Sequence, residues 1–285
     1  MKKLLLSVAT AMVAMLYLLP LAFGQEVQIV DGWVTPDWHN PDTVTKFAPF
    51  YPVGGGVNYV GTQLQDGYEV IVTIKNTSDF GQQERLNFYD ANGSYTPLLV
   101  QDSRSTVLNK YFGMQAPQAA HSSRQMTLTL ANSEVKTGWM EIIIPAAPLG
   151  QPTIEVLLRY QRKVAGNIGG QASIAVTSPA KKLSFPALYL GSTRTGVALT
   201  NPNEVPAEVI ISLRNQVGRL VYTYTTIIVA KGQSVAFLDE MVPRLENFDG
   251  LVEVTSNVGI LATALQATGD DQTFNFSTIP VETSP

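Results

Sequence analysis

Few residues of this sequence have the types and spacing that catalysis or metal binding requires. The chain of 285 residues contains two histidines, His39 and His121, and no cysteine. The lack of cysteine excludes thiol catalysis and thiolate metal sites. A zinc site would need Asp or Glu ligands beside a histidine, and no His-x-His or His-Glu-x-x-His spacing is present. We therefore expect no metal site and no bound cofactor.

His121 precedes two serines, Ser122 and Ser123, and a serine activated by a histidine is the centre of many hydrolytic sites. Such a site also needs an oxyanion hole, and the sequence has no Gly-x-Ser-x-Gly elbow. We interpret these residues as an ordinary loop and predict that the protein is not an enzyme. A glycoside-acting enzyme stays open as a remote alternative, because the fold alone sets the spacing of paired carboxylates.

Two acidic loops resemble parts of calcium sites. The run Asp90-Ala91-Asn92-Gly93-Ser94 imitates the start of a calcium-binding loop, but its twelfth position is Gln101 rather than a bidentate glutamate. We interpret this run as a hairpin turn. The same interpretation applies to Gly269-Asp270-Asp271-Gln272, where weak calcium binding by the paired carboxylates stays open.

The charge of the chain argues against a nucleic-acid partner. It contains 19 Lys and Arg against 23 Asp and Glu, a net charge of −4, and no basic run is longer than a pair such as Lys181-Lys182. Nucleic-acid-binding surfaces need clustered basic residues to neutralise phosphates. A hydrophobic content of 45% and a charged content of 15% are typical of a globular chain with one large or two modest domains.

Residues 1–24 have the pattern of a secretory signal peptide. Lys2 and Lys3 precede an apolar run that ends at Pro20 and the small-x-small triplet Ala22-Phe23-Gly24. We predict cleavage after Gly24, secretion to the extracellular space, cell surface or periplasm, and no membrane span in the mature chain. The alternative is an uncleaved anchor, since the 20 residues from 4 to 23 are enough to cross a bilayer.

The elements that must position any functional residue are predicted to be β-strands. Short runs rich in Val, Ile, Thr, Tyr and Phe alternate with clusters of Gly, Pro, Asn and Asp, which predicts an all-β fold. Two stretches, residues 72–95 and 197–220, have the same chemical pattern without a gap. In both, apolar residues recur with period two, as on one face of a strand. The equivalent turn residues are Asn76 and Asn201 after the first strand, and Asp90, Gly93, Asn215 and Gly218 around the following hairpin.

The match extends to both sides of these stretches. Residues 138–142 correspond to 250–254, and FAPFY from Phe47 corresponds to FPALY from Phe185. Seven predicted strands per unit suggest two packed antiparallel sheets in each, a pair of tandem β-sandwiches. The predicted organisation is a signal peptide at 1–24, an N-terminal extension at 25–46, a β-sandwich domain with two loop insertions at 47–182 and a second β-sandwich domain at 183–285.

The run GVALTNPNEVPAEVIISLRNQVG, residues 196–218, resembles the strand, turn, strand and hairpin segment of immunoglobulin-like or fibronectin-like β-sandwich repeats in bacterial secreted and surface proteins. Residues 250–272 resemble the closing strands of such repeats. The resemblance covers most of residues 47–285, and the Cys-Trp-Cys signature of antibody domains is absent. The resemblance implies a structural, adhesive or accessory role, without catalytic residues.

Binding residues are expected where the two predicted domains differ, because such residues tend to lie on loops over a rigid frame. The insertion at 96–122 contains a mixture of side chains suited to a contact surface, or to covering an open end of the sandwich. The insertion from Gln161 is predicted to be a glycine-rich hairpin, a flexible tip with a solvated basic pair. The candidate contact residues are Arg104, Lys110, Tyr111 and Phe112 in the first insertion, and Arg162 and Lys163 in the second.

The N-terminal extension adds two further candidates, Trp33 and Trp38, which lie among aspartates. Exposed tryptophans beside carboxylates stack on sugars or dock onto another subunit, whereas a buried pair would clasp the extension to its own domain. Polar and apolar residues alternate over positions 26–30, so this segment is suited to adding a strand to a sheet edge, either of the same molecule or of a neighbour.

These observations predict a secreted, non-enzymatic structural or adhesive protein that binds a protein partner or self-associates through the extension. The alternative is a carbohydrate-binding accessory protein that uses Trp33 and Trp38, with Tyr51 and Tyr59.

Overall fold

The computed structural model describes residues 29–30, 33–34, 43–60, 63–103, 109–111, 113–144, 154–242, 245–269 and 275–284. It confirms the all-β prediction: the described residues form antiparallel strands, with a single four-residue helix among them. The predicted signal peptide, residues 1–24, lies outside the described residues.

The first half of the structure, residues 44–174, contains twelve strands, and two short strands precede it. The two preceding strands, β1 and β2, pair with each other, and β4 pairs with β5. The bounds are β1 Ile29–Val30, β2 Trp33–Val34, β3 Val44–Gly56, β4 Tyr59–Val60, β5 Gln63–Leu64, β6 Gly67–Asn76, β7 Gln82–Asp90, β8 Leu98–Asp102, β9 Asn109–Tyr111, β10 Gly113–Gln118, β11 Ser122–Thr129, β12 Asn132–Ile144, β13 Ile154–Val164 and β14 Asn167–Ile174.

The second half, residues 180–283, contains eight strands and the short helix α1. The bounds are β15 Ala180–Tyr189, β16 Thr193–Thr200, β17 Ala207–Asn215, β18 Leu220–Ile228, β19 Gln233–Phe237, α1 Leu238–Met241, β20 Phe248–Thr268, β21 Asn275–Ile279 and β22 Glu282–Thr283. The predicted domain boundary between residues 182 and 183 falls within β15.

Two layers of strands enclose the core of the first half. Sheet I has the order β10-β7-β12-β3, and sheet II has the order β14-β13-β6-β11-β8-β9. A single bridge between Gly54 and Tyr68 links the two sheets. Period-two alternation directs apolar side chains of both sheets inward, such as Val72 and Ile74 of β6 and Leu86 and Phe88 of β7, all fully buried in one cluster.

The second half repeats the order of four strands in each layer, while β8, β9 and β22 have no counterpart in the other half. Sheet III is β18-β17-β20-β15-β22, and sheet IV joins β19, β16, the later part of β20 and β21. Strand β20 serves both layers: its residues up to Ser256 pair with β15 and β17, and those from Leu261 pair with β16 and β21. In the first half two separate strands, β12 and β13, occupy the corresponding places.

The turn residues behave as their chemistry predicts in both halves. The Asn76 Oδ1 accepts a hydrogen bond from the Ser78 amide at 3.0 Å, and the Asn201 Oδ1 accepts one from the Asn203 amide at 3.1 Å. The Asp90 Oδ1 accepts bonds from the amides of residues 92 and 94, both at 2.9 Å. Gly93 and Gly218 have positive φ values of 83° and 77°, which favour glycine. The Asp90 loop is therefore a hairpin turn.

The predicted correspondence between residues 47–51 and 185–189 is out of register. Val252 pairs with Phe185 of β15, whereas the equivalent residue of β12, Met140, pairs with Ala48, so Ala48 corresponds to Phe185. A register shift between Gly138 and Met140 adds one residue to β3, so the difference from the prediction increases from one residue to two. The ring of Phe47 instead contacts Trp139, with ring centroids 6.1 Å apart.

The two halves make direct contact. Phe47, Tyr89 and Trp139 of the first half form a buried cluster with Leu261 of the second. The Trp139 indole Nε1 donates a hydrogen bond to the Lys231 carbonyl at 2.8 Å. This contact covers the outer face of sheet I at Tyr89 and Trp139.

Candidate functional site

The predicted contact residues of the first insertion lie in part on strand β9. Lys110 and Tyr111 are exposed there, and β9 pairs with β8. Arg104, Phe112 and Trp38 lie outside the described residues. Trp33 lies on β2, whose backbone lies close to that of β7. The roles assigned to these residues stay predictions.

The sequence predicts that both basic residues of the second insertion are solvated, and this prediction is wrong for Lys163. Lys163 is largely buried, and its Nζ lies 3.1 Å from the Oε1 of the buried Glu69. The reason is that β13 and β14 continue to a turn at Ala165 and Gly166, so Lys163 pairs with β6 instead of standing at the base of a loose loop. Arg162 is half-buried and pairs with Tyr68. The glycine-rich segment thus forms part of sheet II.

An open groove of about 520 Å³ lies on the outer face of sheet I. Period two turns Leu86 and Phe88 of β7 to the core and leaves the intervening positions, Arg85 and Asn87, on the opposite face. Strand β10 forms one side of the groove. Its lining residues are Arg85, Asn87, Tyr95, Gly113, Met114 and Gln115.

Hydrogen bonds connect the polar side chains along this face. The Arg85 Nε donates to the Asn87 Oδ1 at 3.1 Å, and the Asn87 Nδ2 donates to the Glu141 Oε2 at 2.8 Å. The Tyr89 hydroxyl donates to the same Glu141 oxygen at 3.3 Å and lies 3.1 Å from the Tyr95 hydroxyl. Burial raises the pKa of Tyr89 well above its usual range, and the bond to Tyr95 acts in the same direction. The network therefore holds its side chains in fixed positions.

Three aromatic rings stack in line beside this network. The buried Trp139 ring lies parallel to Tyr89, with centroids 4.2 Å apart and an interplanar angle of 6°. Tyr89 stacks on Tyr95 at 4.7 Å. Tyr95 is 54% exposed, so the stack ends in solvent at the groove. A rigid exposed ring beside guanidinium, amide and carboxylate groups is suited to binding a ligand that has both apolar and hydrogen-bonding faces.

Three of the groove residues, Gly113, Met114 and Gln115, lie in the insertion at 96–122, which was predicted as a contact surface, whereas the sequence prediction missed the other three. The signal was present in the aligned stretches, which place Tyr95 opposite Leu220 and Asn87 opposite Ser212. Tyr51, named as a sugar-stacking candidate, is 1% exposed, and its hydroxyl donates a hydrogen bond to the Tyr89 carbonyl at 2.8 Å. Tyr51 cannot contact a ligand, because it supports the inner side of the sheet.

A second, apolar groove of about 250 Å³ lies between the two halves. The Tyr160 ring meets Phe50 and Phe276 edge to face, at centroid distances of 6.2 and 5.7 Å. Burial raises the pKa of the Tyr160 hydroxyl, which has no hydrogen-bond partner among the described residues.

Glu84 of β7 is a buried acid in the core of the first half. It is 0% exposed, and within the described part of the chain neither carboxyl oxygen has a hydrogen-bond partner. Burial raises its pKa to about 8, although the positive charge of Arg124 acts in the opposite direction. Glu84 is therefore protonated near neutral pH.

The remaining described residues with metal-binding or acid-base side chains do not form a cluster. His121 forms a surface contact with Asp79, with 2.8 Å between Nε2 and Oδ1. No group of three or more His, Asp or Glu side chains that could hold a metal ion occurs in the part of the chain that the structure describes. A search of the same residues finds no helix of the length and apolarity that crossing a membrane requires.

No family model matches the sequence, and no curated protein matches it. A crystal structure of Thermotoga maritima 1070 aligns at 14% identity over 38% of this chain and 97% of that chain, with a TM-score of 0.34. A calcium-binding mutant of Bacteroides uniformis beta-glucuronidase 2 aligns at 12% identity over 69% of this chain and 24% of that chain, with a TM-score of 0.15. Both scores are too low to carry an argument about fold or function.

Proposed function

We propose that the protein is a non-enzymatic structural or adhesive protein that binds a partner in the groove on the outer face of sheet I. The observation that carries this proposal is the exposed Tyr95 ring, which stacks on Tyr89, which in turn stacks on Trp139. The hydrogen-bond network of Arg85, Asn87 and Glu141 lies beside this stack. An interface hot spot needs an aromatic or arginine side chain that is already held in its bound position.

The proposed architecture is a pair of tandem immunoglobulin-like β-sandwich domains that arose by duplication. It is supported by the common strand order and by the paired turn residues Asn76 and Asn201. The corresponding face of the second domain differs: Arg214 is bonded directly to Glu253 there, with Nε 2.6 Å from Oε2. We infer that the second domain is scaffold on this face.

We place the protein outside the cytoplasm, on the basis of the signal pattern in residues 1–24. A protein that works at a cell surface or in the surrounding matrix gains from a binding groove on a rigid sheet. No cofactor is needed for this role.

The test is binding of the chain from Gln25 to intact cells of the source organism, measured by sedimentation. We expect saturable binding that Arg85→Ala with Tyr95→Ala weakens by about tenfold or more. The matched control is Lys110→Ala with Tyr111→Ala, which removes an exposed basic and aromatic pair on β9 and should leave binding unchanged. Absence of binding would reject the proposed function. Loss only in the control pair would move the contact surface to strand β9.

A carbohydrate ligand is the second candidate, because Tyr95 combines an exposed ring with neighbouring planar hydrogen-bonding groups. Treatment of the cells separates the two candidates. Periodate, which cleaves sugar diols, should abolish binding if the ligand is a saccharide, whereas protease treatment should abolish it if the partner is a protein.

A further inference from the structure

Strand β18 is a long sheet edge. Its nine residues, Leu220–Ile228, pair along one side with β17, from Ala207 opposite Ile228 to Arg214 opposite Leu220. Within the described ranges no strand pairs with its other side. The alternate backbone amides and carbonyls on that side are therefore without ladder partners, which is the arrangement that accepts an added strand.

Proline, charge and short length, three of the usual protections of a sheet edge, are missing from β18, although a bulge at Val221 limits its regular edge to residues 222–228. Its sequence, LVYTYTTII, contains no charge, proline or glycine. The equivalent edge of the first half, β10, is six residues long and contains Pro117. The edge strand β9 has three residues, including Lys110, and β22 has two. Proline, charge and short length are the features that prevent edge pairing, and among these four edges β18 alone lacks all of them.

The side chains of β18 are suited to pairing with a copy of itself. Ile227 is 67% exposed, and Thr223 and Thr225 are exposed on the same face of the strand. These three residues are β-branched and pack well across a pleated sheet. An uncharged strand aligned antiparallel to itself brings no like charges together, whatever the register.

We propose that β18 pairs antiparallel with β18 of a second copy of this chain, so that sheet III continues across a two-fold axis. Each copy contributes one edge of β18 to this contact, because β17 occupies the other side of β18. The contact is therefore self-complementary and closes at a dimer. The contact lies on a different sheet and in a different half from the groove. This proposal can therefore be tested independently of the proposed function.

The experiment measures the solution mass of the chain from Gln25 by light scattering and sedimentation across a concentration series. We expect a dimer at high concentration that dissociates on dilution, with no larger species. Hydrogen exchange should show protection of β18 amides that increases with the dimer fraction. The double variant Thr223→Lys, Thr225→Lys places positive charges along the edge and should raise the dissociation constant by about tenfold or more.

The matched control is Ser212→Lys with Ile210→Lys. These residues lie directly opposite Thr223 and Thr225 on β17, one strand inward from the edge. The control should dimerise as the parent chain does, and thermal unfolding checks that both double variants are folded.

Three results would overturn the proposal. The first is a monomer at all concentrations. The second is equal weakening by the β17 and β18 variants, which would indicate contact through the sheet face. The third is a dimer that disappears when the chain starts at Phe47, which would make the N-terminal extension the occupant instead.

Discussion

Glu84 shows how a single residue can make the stability of the fold depend on pH. Its carboxyl group lies in the core beside β10, where the Gln118 side chain is also buried. In the folded chain its pKa is raised from 4.5 to about 8. The folded state therefore holds a proton that the unfolded state releases between these values. Its contribution to stability is full below about pH 4.5 and is lost as the pH rises to about 8.

Glu84→Gln should remove this pH dependence. The variant keeps the shape of the side chain without its ionisation, so its free energy of unfolding should match that of the parent at about pH 4 and exceed it at about pH 8 to 9. The difference has an upper limit of about 5 kcal/mol. Urea unfolding across this pH range measures it, with Glu155→Gln, an exposed acid paired with Lys75, as the control. An unchanged pH slope in Glu84→Gln would contradict the assignment.

The residues of the groove show why residue-level prediction was incomplete. Arg85, Asn87 and Tyr95 are close in sequence, but β10 and β12, which form the rest of the face, come from later in the chain. Period two indicates that these side chains point outward, but it does not indicate what lies beside them. Lys163 was misjudged for the related reason that its partner, Glu69, is far away in sequence.

At the scale of elements, the asparagine turns were predictable, because they depend on neighbouring residues. The Asn201 side chain closes the turn after β16: its Nδ2 donates to the carbonyls of Val205, Ile228 and Val229, at 2.7 to 3.2 Å. The β3 register was not predictable, since the shift near Gly138 depends on how two distant strands meet.

Asn201→Ala should destabilise the chain by about 2 to 4 kcal/mol, because it leaves buried backbone carbonyls without donors. The free energy from urea unfolding measures this loss. Asn257→Ala is the control: its Oδ1 accepts one bond from the Glu208 amide at an exposed site, so the expected cost is below about 1 kcal/mol. Equal costs for the two variants would argue against a special role for the buried turn.

At the scale of the whole molecule, the junction between the halves depends on buried hydrogen bonds to main-chain groups. The Gln233 Nε2 donates to the carbonyls of Pro49 and Gly138, at 2.7 and 3.1 Å, and Thr200 donates to Pro49 at 2.6 Å. The sequence alignment identified the two halves as separate units but gave no information about this junction. We expect the halves to unfold as one cooperative unit.

Gln233→Leu should uncouple them. Calorimetry of the parent chain should show one transition whose calorimetric and van't Hoff enthalpies agree, and the variant should show a lower midpoint and two transitions. Gln216→Leu, at an exposed hairpin, serves as the control, because its bond to Asp249 lies within the second half. Two transitions in the parent chain would show that the junction contributes little.

Strand β20 has a mechanical consequence. Its 21 residues run without a break from sheet III into sheet IV, and four other strands are bonded to it along the way. A tensile load that enters one layer of the second half therefore passes to the other through covalent bonds. To separate the two layers, a force along β20 would have to break its rows of ladder hydrogen bonds together in shear. If the protein is anchored at one point and pulled at another, the continuous backbone of β20 holds the two layers of the second half together under tension.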